Sequence, residues 1–108
     1  MPKIQTNKNQ HEFLCLVGLL LLFAKNYCEQ NGYLMTGGDL YRDPRCPYGS
    51  EKSRHHMRLA IDINLIKNGK LIRNDEGHRD LGAFWLSLSP KCSWGGRWSD
   101  FNHYSYLE

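Results

Sequence analysis

Leu59-Ala60-Ile61-Asp62-Ile63-Asn64-Leu65-Ile66, continued by Lys67-Asn68-Gly69-Lys70 and Leu71-Ile72-Arg73, is the stretch that decides the fold. From Leu59 to Ile66 apolar and polar residues alternate, the period of a half-buried strand. Lys67-Asn68-Gly69-Lys70 is a hairpin turn signal, and Leu71–Arg73 is the return strand. Toward the N-terminus, the pattern from about Asn9 to Gln30 is helical, with Asn9 as cap, Glu12 three residues on and Asn31-Gly32 as the stop. The middle of this helix is apolar nearly all round, which predicts burial against a sheet. Tyr33–Thr36 reads as a short strand before a Gly37-Gly38 break, and Asp43–Ser50 as loop. Toward the C-terminus, Asp80–Leu88 is a short helix ended by Ser89-Pro90, Trp94–Trp98 a loop, and His103–Tyr106 a final strand. The order of elements predicts an α+β fold, a small antiparallel sheet packed against helices.

A chain of 108 residues is one domain, 1–108, with residues 1–9 polar and expected to be loose. A chain this short buries only about two-thirds of its unfolded surface, so a bound metal would add useful stability. The net charge of +3 is spread without a Lys/Arg block, which argues against a nucleic-acid partner. Cys15, Cys28, Cys46 and Cys92 form no C-x-x-C pair, so a zinc ribbon is excluded. Reduced thiols are expected, with two disulfides as the alternative for an exported chain. The run Phe13–Ala24 reaches only about 18 Å as a helix, against a bilayer core of about 30 Å. A buried core helix is therefore expected, without stable membrane insertion, and a signal or anchor is the alternative. A monomer is expected.

Chemistry concentrates at two places. His55 stands seven residues before Asp62, and Asp100-Phe101-Asn102-His103 puts a carboxylate just ahead of a second imidazole. Asp62 lies in the strand, His55 in the loop leading to it, His103 at the start of the last strand and Asp100 in the turn before it. Neighbouring strands would gather all four at one end of the sheet. Two imidazoles and a carboxylate suffice for a catalytic zinc with one open position, and a further carboxylate is the general base such a site needs. Spacing alone does not separate His55 from His56. Ser53 and Asn102 are the nearest partners to orient the imidazoles. His78 is expected to open the second helix in an exposed position, and His11 to lie on the surface. Trp94 and Trp98 read as partly buried core or as cleft residues. Cys92, with no cation beside it, is not a nucleophile.

Ser53-x-His55-x4-Ala60-x-Asp62, followed by Trp94-Gly95-Gly96 and Asp100-x2-His103, resembles the zinc D-Ala-D-Ala carboxypeptidase and L-alanoyl-D-glutamate endopeptidase family, which includes many phage endolysins. Leu81-Gly82-Ala83-Phe84-Trp85 joins the resemblance, as do the first helix and Tyr41-Arg42 more loosely, so it takes in roughly residues 10–106. It implies a Hedgehog/DD-peptidase-like fold, with His55, Asp62 and His103 as zinc ligands and the register choosing His55 over His56. It further implies Asp100 as general base, Arg42 as the arginine that holds substrate or oxyanion, and Ser53 and Trp94 as substrate contacts. The substrate is then the peptidoglycan stem peptide, cut by an enzyme made in the host cytoplasm without a clear signal peptide and acting on the wall after release. The alternatives are a D,D-carboxypeptidase or dipeptidase, or an inactive envelope-binding phage module. Arg58 replaces the family's usual Gly, and Ser105 stands where Glu often follows the last histidine.

Overall fold

The computed structural model describes residues 8–38 and 59–107. These form α1 (Lys8–Asn31), β1 (Leu34–Gly37), β2 (Ala60–Lys67), β3 (Lys70–Leu71), α2 (His78–Leu88), β4 (Cys92–Trp94), a 3-10 turn (Gly95–Trp98) and β5 (His103–Tyr106). The architecture is α+β, a five-stranded antiparallel sheet in the order β1-β2-β5-β4 with β3 paired to β2.

β2 organises the sheet. One of its edges carries β1, from Leu34↔Ile66 to Gly37↔Ile63. The other carries β5 at Ala60–Asp62 and β3 at Ile66–Lys67, end to end with an interval between them. The Asn68-Gly69 turn forms as the dipeptide predicts, with φ of 54° and 76° at its two residues, the left-handed pair that matches strand twist. The return strand is shorter than expected, Lys70–Leu71 only. Ile72 then uses its N–H on Leu65 and the chain turns away.

The apolar residues of β2 point to the helices. Ile63 and Leu65 are buried with Tyr104 and Tyr106 of β5, against a stripe of α1 formed by Phe13, Val17, Leu20, Ala24 and Cys28. That spacing of three and four residues is one face of a helix. α1 closes at Gly32, whose N–H, like that of Tyr33, reaches the Cys28 carbonyl. α1 is thus buried against the sheet as expected, but along this stripe only. Leu14, Leu19 and Leu22 are 61%, 49% and 57% exposed, because the sheet and α2 cover only one side of the helix. At 24 residues α1 is also longer than its apolar run, and long and apolar enough to cross a membrane by length and composition.

Two indoles lock α2 onto the sheet. Trp85 is fully buried, and its N–H is shared between the carbonyls of Ser93 and Ser105, 3.1 and 3.0 Å away, which ties α2 to β4 and β5 together. Trp94 lies against α2 where Gly82 leaves room, and a Cβ on Gly82 would stand 2.3 Å from the indole. Thus Trp94 ends a strand, whereas the sequence predicted a loop from Trp94 to Trp98. β4 is only three residues long and lacks the alternation that would reveal it. Trp98 is 66% exposed, with the Arg97 guanidinium 5.1 Å over its ring, so it is not part of the core. α2 starts at His78, two residues ahead of the expected Asp80, and His78 is 1% exposed, not exposed as expected. Gly77, at φ 73°, turns the chain so that the first helical side chain points inward.

Replacing a mid-helix glycine by alanine ordinarily stabilises a helix by about 1 kcal/mol. Gly82→Ala is expected to do the reverse, losing about 1–3 kcal/mol as the methyl displaces the Trp94 indole. Urea denaturation measures the sign directly.

Candidate active site

Antiparallel pairing sets Asp62 directly opposite His103. Because Ile63 and Tyr104 face the helices, Asp62 and His103 share the opposite face of the sheet. His103 Nδ1 lies 3.1 Å from Asp62 Oδ1, and the two side chains are 25% and 29% exposed, half-buried yet open to a small ligand. Gly38, at the end of β1, donates its N–H to the Asp62 carbonyl.

Asp100 sits in the turn ahead of β5, where the sequence placed it. Its carbonyl accepts the His103 N–H at 3.2 Å, and its own N–H reaches the Gly95 carbonyl at 2.9 Å. The Trp94-Gly95-Gly96 motif acquires a physical meaning here. A Cβ on Gly95 would stand 2.4 Å from the Asp100 carbonyl oxygen and 3.1 Å from the His103 Cβ, so only glycine lets the 3-10 turn press against Asp100 and the root of the His103 side chain. The Trp94 indole donates to the Phe101 carbonyl at 2.7 Å, holding the same turn from its other side. Trp94, expected to touch substrate, therefore also supports the Asp100–His103 segment. Asn102 contributes twice: its carbonyl accepts from the Ile63 N–H, and its side-chain amide donates to Asn64 Oδ1 at 2.7 Å.

His55, Ser53 and Arg42 lie outside the described residues, as do Cys46 and the loop expected at Asp43–Ser50. Among the described residues no three metal-binding side chains gather. The two that meet suit zinc. Ligands held tetrahedrally at about 2.0–2.2 Å from one zinc stand about 3.3–3.6 Å from each other, and the Asp62–His103 donor atoms, now at hydrogen-bond distance, are 3.1 Å apart. A carboxylate oxygen and an imidazole nitrogen on neighbouring strands thus offer two positions of a tetrahedral shell.

The other titratable groups do not compete for the chemistry. Burial pushes the Cys92 thiol up to about 11, so it remains protonated. Among the described residues Cys15, Cys28 and Cys92 are unpaired by disulfides. Burial also holds His78 below its ordinary value, against a hydrogen bond to the Ile72 backbone that favours its charged form.

A carboxylate and an imidazole facing each other across the centre of an antiparallel α+β sheet define a candidate hydrolase centre. Comparison with known proteins supplies the family: a sequence profile described as D-alanyl-D-alanine carboxypeptidase matches residues 48–106, more than half of the chain, and the protein belongs to that family of peptidases. The matched region runs from ahead of His55 to the end of β5 and contains every candidate zinc ligand, while α1 and β1 precede it. No curated protein and no solved structure matches the chain. Membership makes the protein a peptidase of the peptidoglycan-related kind.

The buried imidazole yields a pH signature. As pH falls below about 6.5 the unfolded chain takes up a proton at His78 that the folded protein resists. Stability should therefore decline from that pH until the lowered folded pKa is reached, and this contribution then levels off. In denaturation series between pH 7.5 and 5, His78→Gln is expected to show a shallower loss than the wild type.

Proposed function

We propose that the protein is a zinc-dependent peptidoglycan peptidase cutting between L-alanine and D-glutamate of the stem peptide. The observation that carries this reading is the Asp62–His103 pair, in register across β2 and β5 within the region that matches the peptidase family. His55, Asp62 and His103 would hold the metal. Bound there, zinc supplies Lewis acidity toward the scissile carbonyl and toward water.

The remaining chemistry belongs to side chains. Asp100, exposed in the turn before His103, takes the proton from the attacking water and returns it to the leaving amine. Its backbone bonds to Gly95 and His103 hold it beside the imidazole without occupying its carboxylate. Arg42 offers guanidinium donors to the carbonyl oxygen as negative charge develops. Ser53 and the exposed part of the Trp94 ring are the proposed substrate contacts. Domain 1–108 acts as a monomer in this reading, on wall peptide reached after release from the cytoplasm. A D,D-carboxypeptidase is the second reading, favoured by the description of the matching family. The same residues serve either bond.

Mass spectrometry of peptidoglycan digested with zinc-loaded protein, beside a chelated control, separates these readings. New ends between L-Ala and D-Glu are expected only with zinc. Released D-Ala would move the assignment to the carboxypeptidase, and intact wall with zinc bound would indicate a non-catalytic envelope module. Asp100→Ala is expected to keep zinc and lose about 100- to 10,000-fold in rate. His103→Ala is expected to lose the metal; unchanged zinc content would remove His103 from the ligand set.

A further inference from the structure

The interval on the edge of β2 between β5 and β3 is not closed by strand pairing. Among the described residues two backbone bonds border it, Ile63 N–H to the Asn102 carbonyl and Ile72 N–H to the Leu65 carbonyl. A cavity of about 200 Å³ opens there. Leu71, Ile72 and Arg73 line one wall, Ser99–Asn102 the other, with Asn64 and His78 between them. Asn64 follows Asp62 by two residues on the same strand face, a separation of about 7 Å. The cavity thus begins one or two substrate residues away from the candidate metal pair.

We propose that this cavity is a subsite for a carboxylate carried by the residue next to the scissile bond, held by Arg73 with help from Asn64. The inference rests on the reading of Asp100 as general base. Arg73 and Asp100 are the charged residues lining the cavity. A cationic substrate group would pair with Asp100 and remove the base, whereas an anionic group pairs with Arg73 and leaves Asp100 available. Arg73 is exposed, and among the described residues no carboxylate forms an ion pair with it. Asn102 donates to Asn64 Oδ1, which turns the Asn64 amide so that its two N–H donors remain for a ligand. Ser99, exposed at the opposite wall, adds a hydroxyl. His78, held neutral by burial, contributes no competing charge. In a stem peptide linked through the γ-carboxyl of D-glutamate, the free α-carboxylate lies next to the proposed cleavage point and meets this description.

The test compares two peptides, L-Ala-γ-D-Glu-L-Lys with its α-carboxylate free and the same peptide with that group as the neutral amide. Zinc-loaded wild type is expected to prefer the free acid by about 10- to 100-fold in kcat/KM, mostly through KM, as a charge-assisted contact would give. Arg73→Gln is expected to erase the preference while cleaving the amide at the wild-type rate, and Arg73→Lys to restore part of it. An undiminished preference in Arg73→Gln, or none in the wild type, would overturn the subsite. NMR titration supplies a readout independent of turnover. The free acid should shift the Asn64 and Asn102 side-chain amides, the neutral peptide should not, and Arg73→Gln should abolish the difference. Cleavage of neither peptide would count against the proposed endopeptidase, while the titration would still decide the subsite; equal or absent shifts with both peptides would refute it.

Discussion

The register of β2 against β5 is the constraint from which the site follows. Asp62 opposes His103 only in the observed pairing, and their donor atoms stand 3.1 Å apart as a result. A slip of one residue would send Asp62 to the helix side and bring Ile63 out of the core. Burial of Ile63, Leu65, Tyr104 and Tyr106 therefore does more than stabilise the sheet; it forces the two polar side chains onto one face. The Asn102 carbonyl on the Ile63 N–H extends this pairing beyond the last strand residue.

Support for that register comes from the side carrying α2. The Trp85 indole bonds to β4 and β5 at once, so the helix cannot shift relative to either strand without leaving a buried donor unpaired. Trp94 then transmits the position of α2 to the Phe101 carbonyl, one residue past Asp100. The glycines of the Leu81-Gly82-Ala83 and Trp94-Gly95-Gly96 segments are what allow these approaches. Motifs that resemble a family signature in sequence are thus, in three dimensions, the contacts that hold the Asp100–His103 turn.

The central hairpin was legible because its strand alternates and its turn needs left-handed residues that Asn68 and Gly69 supply. The α+β class followed from it, as did the ends of α1 within a residue or two. The juxtaposition of Asp62 with His103 was anticipated from strand adjacency, though their sequence separation offers no sign of the register. Other features were hidden for identifiable reasons. β4 has three residues, too few to show a period. The burial of His78 depends on the Gly77 turn, and the exposure of one face of α1 depends on how little surface α2 and the sheet offer it. Arg73 and Asn64 belong to no sequence motif that marks a site, although Asn64 shares the alternation that places Asp62; the interval between β3 and β5 is what brings them to one cavity.

Asn64 of the cavity and Asp62 of the Asp–His pair share one strand face, so the proposed reading gives a peptide substrate a direction: reacting bond near Asp62 and His103, carboxylate toward Arg73. The proposed reading stands on the identity of the donors that would surround the metal. X-ray absorption at the zinc edge of the loaded protein tests that identity most directly. The account predicts a shell of nitrogen and oxygen at about 2.0–2.2 Å, with multiple-scattering from two imidazoles and no sulfur. A sulfur neighbour at about 2.3 Å would instead draw a cysteine into the shell and contradict the assignment of His55, Asp62 and His103.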